Sequence, residues 1–279
     1  MRAILVIALC LCARLAAATP PMVDSGSIHT NGASVSNNLT LTLVTASAPE
    51  RIILNFGAVD FTSNGTPQAT GVSGCGLSWS LRKRTTFINF TGGTYCHNNA
   101  SGTCDIDQEE WTAYAASTIA SCTVTIGFST TPVISGGVYG LSGIPSGGAF
   151  DANAGLPAVA TGTAITAVPN VSTSSVPSAL FNFSSGNYNS QAGGTACSGW
   201  NTIWNNFQFY GALSIGISAG AGLAQNLCST VSNISTPIWS VGCSTVSANI
   251  VTADAVQGIP SPGCTSGGGG TGNVNLKVN

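Results

Sequence analysis

Short segments in which apolar and polar residues alternate, or in which apolar residues run together, recur along the whole chain. Clusters of Gly, Ser, Asn and Pro separate them, which is typical of β-strands and turns. No long segment has the 3.6-residue period of an amphipathic helix. The predicted strands are 36–45, 51–61, 77–85, 110–116, 122–128, 133–141, 163–172, 179–184, 200–204, 207–218, 229–234 and 238–251. This pattern predicts an all-β protein built from sandwiches of the jelly-roll or Ig-like type.

The later strands echo the earlier ones. Leu54-Asn55-Phe56 corresponds to Phe181-Asn182-Phe183, and each follows a proline at a similar distance. The cysteines that begin corresponding segments occur in the same order, as Cys75 and Cys122 and then as Cys197 and Cys228. Chance similarity between low-complexity β segments is the alternative. Colinear cysteines, aromatics and prolines favour a repeat, so we expect two similar β-sandwich units in tandem, at 19–150 and 151–264, followed by a flexible Gly-rich tail at 265–279.

The first 18 residues have the features of a secretory signal peptide. Arg2 precedes an apolar run from residue 3 to 13, and Ala16-Ala17-Ala18 provides a cleavage site before Thr19. A membrane anchor is disfavoured, because Arg14 interrupts the run well short of about 20 residues. The uncharged stretch 207–227 is a second candidate span, but its glycines make it a poor helix. We therefore expect a secreted, extracellular protein without a transmembrane anchor.

Eight of the ten cysteines follow the predicted cleavage site. An even number of cysteines in a secreted protein indicates disulfides rather than a metal site. Four cysteines in each unit allow three connectivities per unit. The repeat favours the pairs Cys75–Cys122, Cys96–Cys104, Cys197–Cys228 and Cys243–Cys264.

Charged residues are rare, and they are unevenly distributed. Seven basic and nine acidic residues make up 6% of the 279 residues, against about 25% in an ordinary domain. From residue 152 to residue 253 there is no Asp, Glu, Lys, Arg or His. This excludes a basic surface for nucleic acid and acid–base chemistry within that stretch. Because little electrostatic repulsion keeps such surfaces apart, glycans, wall components or a second copy are the expected partners.

Three segments carry a resemblance to a known group of proteins. They are Gly76-Leu-Ser-Trp79-Ser-Leu-Arg82, Glu110-Trp-Thr-Ala-Tyr-Ala-Ala-Ser117, and Tyr139-Gly-Leu-Ser-Gly143 followed by Phe150-Asp151-Ala-Asn-Ala-Gly-Leu-Pro157. They are similar to the patterns GLTW-LR, YYAIAS and GISG…PFD…LP of a loose group of secreted, Ser/Thr/Gly-rich β-sandwich proteins of microbes and their viruses. The resemblance covers residues 35–157 and implies the fold and an extracellular setting, not a chemistry. The eight cysteines depart from that pattern.

One acidic cluster raises the question of a metal site. Asp105, Asp107 and Glu109 alternate, so they face one side of an extended segment and could supply oxygen ligands to Ca²⁺. The cluster lacks the spacing of a calcium-binding loop, and a solvated loop before Trp111 is the simpler interpretation.

In the cluster of Arg82, Lys83 and Arg84, alternation predicts that the two arginines share one face of an exposed edge strand.

The densest aromatic group is a candidate sugar-binding surface. Trp200, Trp204 and Tyr210 are interleaved with Asn and Gln, and aromatic faces beside amides suit carbohydrate. The favoured interpretation, however, is that these side chains fill a sandwich core. Candidate N-glycosylation sites are Asn38, Asn64, Asn99, Asn170 and Asn233, whereas Asn89 and Asn182 look like strand positions.

The sequence therefore predicts a non-enzymatic, extracellular structural or adhesive protein. A carbohydrate-binding module or lectin is the first alternative. A polysaccharide-active enzyme is the second, and it would use two acids on opposite sides of a cleft. Its candidate acids all lie in the first half, at Asp60, Asp105, Asp107, Glu109 and Glu110.

Overall fold

The computed structural model describes residues 22–60, 66–90, 104–161, 170–174, 178–188, 200–210, 213–222, 234–235 and 250–259. All regular secondary structure in these ranges is β-strand, so the prediction of an all-β protein is confirmed. The strands are β1 (Met22–Val35), β2 (Asn38–Leu43), β3 (Glu50–Asp60), β4 (Ala69–Gly74), β5 (Ser80–Phe90), β6 (Cys104–Ala115), β7 (Cys122–Phe128), β8 (Val133–Ser142), β9 (Ala158–Thr161), β10 (Asn170–Val171), β11 (Ser178–Tyr188), β12 (Trp200–Tyr210), β13 (Leu213–Gly222), β14 (Ile234–Ser235) and β15 (Ile250–Gln257). The predicted signal peptide and the Gly-rich tail lie outside the described residues.

The described strands form antiparallel sheets that stack in layers. The central sheet has the order β1-β8-β3-β6-β5, the first outer sheet β2-β7-β4 and the second outer sheet β12-β13-β11-β15-β9. Strands β10 and β14 pair separately. In β3 every residue except Arg51 is buried, because both faces of the central sheet are covered.

The first outer sheet packs on one face of the central sheet and forms a hydrophobic core with it. In β2, Leu39, Leu41 and Leu43 point inward and the residues between them are exposed. They meet Leu54 and Phe56 of β3 together with apolar residues of β6, β7 and β8. The ring of Phe56 contacts that of Phe128 edge to face, with centroids 5.5 Å apart. In β2 the apolar residues of the alternating pattern are buried and the polar residues between them are exposed.

The second outer sheet packs on the opposite face of the central sheet. Tyr139 of β8 and Phe181 of β11 meet edge to face, with ring centroids 6.3 Å apart. Gln108 of β6 accepts a hydrogen bond of 2.6 Å from Thr252 and donates one of 3.2 Å to the carbonyl of Ile250, both in β15. Strands more than 140 positions apart in the sequence are therefore in direct contact.

The two five-stranded sheets use their strands in the same order. Reading the second outer sheet from β9 gives β9-β15-β11-β13-β12, and the central sheet reads β1-β8-β3-β6-β5. Strands β10 and β14 correspond in the same way to β2 and β7 of the first outer sheet. Leu54-Asn55-Phe56 and Phe181-Asn182-Phe183 thus lie on strands with equivalent places, β3 and β11.

The predicted disulfide Cys75–Cys122 is confirmed, with Cα atoms 5.3 Å apart. It joins the turn after β4 to the start of β7, within the first outer sheet. Cys75 has a positive φ of 62° between two glycines that also have positive φ, Gly74 and Gly76. The other six cysteines of the predicted pairs lie outside the described residues, except for the backbone of Cys104 at the start of β6.

Several strand boundaries differ from the prediction. The alternation did not predict β1, β4 or β9, and the predicted strand 110–116 begins earlier, at Cys104. The predicted break at 205–206 was wrong, because β12 continues through these residues to Tyr210. The described part of the candidate span 207–227 forms β12 and β13. Within the described residues, no helix is long and apolar enough to cross a membrane.

Candidate functional site

Eight of the nine carboxylates of the chain are buried, and this is the main chemical feature of the structure. The buried acids are Asp24, Glu50, Asp60, Asp107, Glu109, Glu110, Asp151 and Asp254. The prediction that residues 105–110 form a solvated loop was wrong, because they belong to β6, which lies between β3 and β5 in the central sheet. A buried charge is costly unless it is paired, so the partners of these acids define the candidate sites.

Glu109 lies on the face of β6 that packs against the first outer sheet. Its carboxylate accepts hydrogen bonds of 2.8 Å from Arg84 Nε, 2.9 Å from the backbone N–H of Ala69 and 2.5 Å from the indole N–H of Trp111. Arg84 also donates to the carbonyl of Ala69 over 2.8 Å. The ion pair thus satisfies both backbone groups of Ala69, at the start of edge strand β4.

Asp107 lies two residues before Glu109, on the same face. Thr86 donates a 2.7 Å hydrogen bond to its carboxyl group. Burial, together with the hydrogen bond and charge of Glu109, raises the pKa of Asp107 to about 8. Among the described residues, no group of three or more His, Cys, Asp and Glu is placed to hold a metal ion. The Ca²⁺ prediction at Asp105, Asp107 and Glu109 is therefore without structural support at those positions.

Arg82 and Arg84 do not share a face, so that prediction was wrong. The register of β5 against β6 shifts between Leu81 and Lys83, which is a bulge at Arg82. A bulge inserts one residue and reverses the alternation beyond it. As a result, Arg84 reaches the first outer sheet, whereas Arg82 reaches the second. The prediction of an edge strand agrees with the place of β5 at the end of the sheet order.

Arg82 forms a two-pronged ion pair with Asp254 of β15. Its Nε and Nη2 atoms donate to the two carboxylate oxygens over 2.7 and 3.1 Å, and the backbone N–H of Ala255 also donates to Asp254 over 2.8 Å. Burial would lower the pKa of Arg82, but the hydrogen bond and charge of Asp254 together raise it. The pair connects residues 172 positions apart in the sequence.

Glu110 lies beside this ion pair and is fully buried. Burial, then the charge of Asp254, raises the pKa of Glu110 well above its ordinary value, although Arg82 opposes the shift. Burial also raises the pKa of Asp254, and Arg82 limits that rise. At neutral pH the consistent arrangement is a protonated Glu110 next to an ionised Asp254 that is paired with Arg82.

Phe150 extends this group toward the segment that follows β8. The guanidinium carbon of Arg82 lies 4.1 Å from the centre of the Phe150 ring, and that of Arg51 lies 5.1 Å from it. Arg51 also donates to the carbonyls of Gly147 and Gly148. Gly148 has φ +56°, and a Cβ there would lie 3.0 Å from Arg51 Nε, so this close approach requires glycine.

We call Arg82, Glu110, Tyr139, Phe150 and Asp254 the junction cluster. The charges of Glu110 and Asp254 raise the pKa of Tyr139 after burial itself, which places the phenol beside them. Four of the five members lie in the three segments that carry the resemblance, and the fifth lies in β15. The cluster therefore joins the central sheet and the segment after β8 to the second outer sheet.

Asp151 follows Phe150 of the junction cluster and binds backbone groups of the chain that leads from the central sheet to the second outer sheet. Its carboxylate accepts hydrogen bonds of 2.8 Å from the N–H of Asn153, 2.9 Å from the N–H of Ser174 and 2.9 Å from the Ser174 hydroxyl. The N–H of Asp151 in turn donates to the carbonyl of Ala255 over 2.9 Å. This carboxylate therefore acts as a cap for two separate backbone segments.

Replacing Asp151 by alanine should lower the free energy of unfolding by about 2 kcal/mol, since two partly buried backbone donors lose their charged acceptor. Urea unfolding followed by tryptophan fluorescence measures this. Asp151→Asn keeps one acceptor oxygen, so its loss should be smaller. Equal stability of wild type and Asp151→Ala would contradict the assigned role.

A second pair of buried acids lies between β1 and β3. Asp24 accepts hydrogen bonds of 2.6 Å from the N–H of Ala46 and 3.0 Å from that of Gly26. Burial, followed by the hydrogen bond and the charge of Asp24, raises the pKa of Glu50 to about 9. A Cβ on Gly140 would collide with the Glu50 carboxyl group. Glu50 is therefore enclosed and neutral at pH 7.

Sequence reasoning missed the junction cluster, although one signal was present. Asp254 is the first charged residue after the long uncharged stretch, and it stands within an apolar strand pattern. An isolated carboxylate in such a pattern requires a partner, because burying it alone is costly. The sequence does not identify that partner, since Arg82 lies in the other half of the chain.

The remaining predicted sites are only partly described. Trp200, Trp204 and Tyr210 lie on β12, whose register against β13 shifts between Thr202 and Trp204, and their side chains are outside the described set. Asn38 is exposed at the start of β2 and Asn182 is buried. The backbone of Asn170 belongs to β10. Asn64, Asn99 and Asn233 lie outside the described residues, so these predictions remain predictions.

The structure therefore has two ion pairs on opposite faces of β5 and β6, each with a buried carboxylate and a partly exposed arginine, and neutral carboxyl groups lie beside them. Comparisons of the chain with models of protein families, with curated proteins and with solved structures find no match.

Proposed function

We propose that this protein is a secreted, non-enzymatic structural or adhesive protein that works at an extracellular surface. The observation that carries the proposal is the burial of eight of its nine carboxylates. A chain with so few charges uses nearly all of its acids inside the fold, so the described part of its surface carries few carboxylates. Such a surface suits contact with neutral material.

The described surface also lacks a large apolar patch. Leu81 is the one large apolar side chain that is exposed among the described residues, at 41%. Soluble proteins that bind through apolar surfaces expose larger contiguous patches. On the described surface, adhesion would therefore depend on uncharged hydrogen bonds rather than on a large hydrophobic patch.

The enzymatic alternative is disfavoured by the contacts of its candidate acids. A pair of catalytic carboxylates must reach a substrate in a cleft. Glu109 instead forms an ion pair with Arg84, and Asp107 and Glu110 are enclosed between sheets. These contacts give the acids a structural role in place of the catalytic one considered from the sequence.

The matching strand orders support the further proposal that the two five-stranded sheets derive from a duplicated unit. Equivalent places of β3 and β11 are what a repeat predicts. The echoed motifs face different neighbours, however. Phe56 packs toward the first outer sheet, whereas Phe181 meets Tyr139 of the central sheet. In this proposal the second unit would use the face of its sheet that carries Phe181 to dock on the first.

Expression of the full chain in a microbial host that secretes and retains wall proteins tests the proposal. We expect a product that begins at Thr19 and stays on the cell surface when cells are washed with molar sodium chloride. At that salt concentration the Debye length is about 3 Å, so only uncharged contacts persist. Retention inside the cell, or release from the surface by salt alone, would refute the proposed function.

A further inference from the structure

The outer face of the first outer sheet carries an ordered array of uncharged polar side chains. Residues of β2 alternate between the core and the solvent, and the pairing of β2 with β7 and of β7 with β4 places the outward residues side by side. We call this array the hydroxyl face. Its members are Asn38, Thr40, Thr42, Ser73, Thr123 and Thr125.

The hydroxyl face has the regularity of the sheet beneath it. Thr40, Thr125 and Ser73 are register partners on three neighbouring strands and form the central rank. Thr42 and Thr123 form a second rank. Neighbouring strands lie about 4.8 Å apart, and alternate residues on one strand about 6.7 Å apart. The hydroxyl groups therefore repeat in two directions across the sheet.

In a third rank the middle position is a glycine, and polar side chains from the two neighbouring strands lie above it. Gly127 lies between Asn38 and β4 in the register. A Cβ at Gly127 would lie 3.2 Å from Thr70 Oγ1 and 3.9 Å from Asn38 Oδ1. Two polar side chains thus lean over the glycine from both sides, and they continue the pattern of hydrogen-bonding groups.

The absence of charge on the hydroxyl face indicates the kind of partner it fits. None of its members is ionisable, and residues of the same half that are ionisable, such as Glu109 and Arg84, point into the fold. The solvent faces of sheets in soluble proteins commonly carry Lys or Glu, which also discourage association. A neutral partner is electrostatically complementary to this face, whereas an anionic partner would lose hydration and gain no ion pair.

We propose that the hydroxyl face binds a neutral polysaccharide that lies flat across β2, β7 and β4. Each Thr or Ser hydroxyl donates one hydrogen bond and accepts up to two, and a sugar hydroxyl has the same capacity. One such bond adds little affinity, but a polymer with repeated hydroxyls engages several ranks and several protein molecules at once. The inference rests on the proposed function, since it names the material to which the surface protein attaches.

Sedimentation of the full secreted chain with insoluble polymers tests this inference. The probes are microcrystalline cellulose and chitin as neutral polymers, cross-linked polygalacturonate as an anionic one, and buffer alone. We expect binding to at least one neutral polymer, unchanged by molar salt, and no binding to polygalacturonate. Sedimentation in buffer alone would show a second copy as the occupant, and preference for the anionic polymer would show that charge directs binding. Either result would overturn the proposal.

Variants of the central rank make the test specific. Thr125→Val removes one hydroxyl and keeps the branched shape suited to a strand, so affinity should fall about fivefold, the effect of one hydrogen bond. Thr125→Lys should abolish binding. Ser146→Lys, which adds the same charge at an exposed position in the segment after β8, should bind like wild type. Equal binding by Thr125→Val and wild type would overturn the proposal.

The same variants separate this inference from the proposed function. Circular dichroism and intact Cys75–Cys122 pairing confirm folding of each variant. If the Thr125 variants lose polymer binding and surface retention together, both proposals are supported. If they remain on the cell surface as wild type does, the surface role stands and the hydroxyl face is not the attachment site.

Discussion

Replacing Asp254 by alanine should lower the free energy of unfolding by about 3 to 5 kcal/mol. The substitution removes the partner of Arg82 and leaves a guanidinium between two sheets, and the cost of breaking a buried ion pair is of this size. The side chain of Arg82 is 24% exposed. Because water can partly solvate the unpaired guanidinium, we expect a loss at the lower end of this range. Guanidinium unfolding curves measure the change, and hydrogen exchange in β15 should accelerate before that in β3.

The control for this prediction replaces both partners. Arg82→Met combined with Asp254→Leu removes both charges and keeps an apolar contact with Phe150, so it should recover most of the stability lost in Asp254→Ala. A coupling energy near zero in the double-mutant cycle would show that the pair does not hold the sheets together. The matched variant Asp105→Ala, at the one acid that is partly exposed, should cost less.

Stability should be highest in acid and should fall as the pH rises from about 4 to 9. Burial raises the pKa of Glu50 to about 9 and that of Asp107 to about 8, and it raises the pKa values of Glu110 and Asp254 as well. Above their ordinary pKa values, Glu50, Asp107 and Glu110 release protons in the unfolded chain but keep them in the folded protein. Unfolding then releases protons, so a higher pH favours the unfolded state.

The size of this effect follows from proton linkage. Each group that is protonated only in the folded state removes up to about 1.4 kcal/mol of stability per pH unit. Urea midpoints at pH 4, 6 and 8 should decrease in that order, the reverse of ordinary acid denaturation. The contribution of these two groups stays constant below their ordinary pKa values, 4.5 for Glu50 and 3.8 for Asp107, because both states are then protonated.

Glu50→Gln tests the contribution of one of these groups to this dependence. The amide keeps the shape of the protonated carboxyl group but does not ionise, so stability should decline less between pH 4.5 and 9. Asp105→Asn provides the comparison, because Asp105 is partly exposed, and it should retain the wild-type slope. A wild-type protein whose urea midpoint rises from pH 4 to pH 8 would contradict the neutral state of the buried acids.

The sequence predicted the strands whose two faces have different surroundings. Strand β7 was predicted with its observed ends, and β2 within two residues at each end, because one face of each is buried and the other is exposed. The place of Cys75 and Cys122 in the predicted repeat likewise led to the observed disulfide. The first signal depends on neighbouring residues and the second on one pair of residues. Both can therefore be recognised from the order of the residues along the chain.

The acidic segment shows where this reasoning fails. Charges at alternate positions normally indicate solvent, so the start of β6 was interpreted as a loop. In the fold, Asp107 and Glu109 lie against the first outer sheet and Glu110 lies against the second. Their partners come from β4, β5 and β15, and no local pattern records contacts that distant strands supply.

By itself, then, the sequence determined an all-β chain, the alternation of its two-faced strands and one disulfide. Only the tertiary structure decided that a central sheet lies between two others, that a bulge sends Arg82 and Arg84 to opposite faces, and that Arg82 meets Asp254 across 172 positions. The physical reason is that alternation reports whether a residue faces water or protein, whereas the cost of burying a charge depends on which residue it meets.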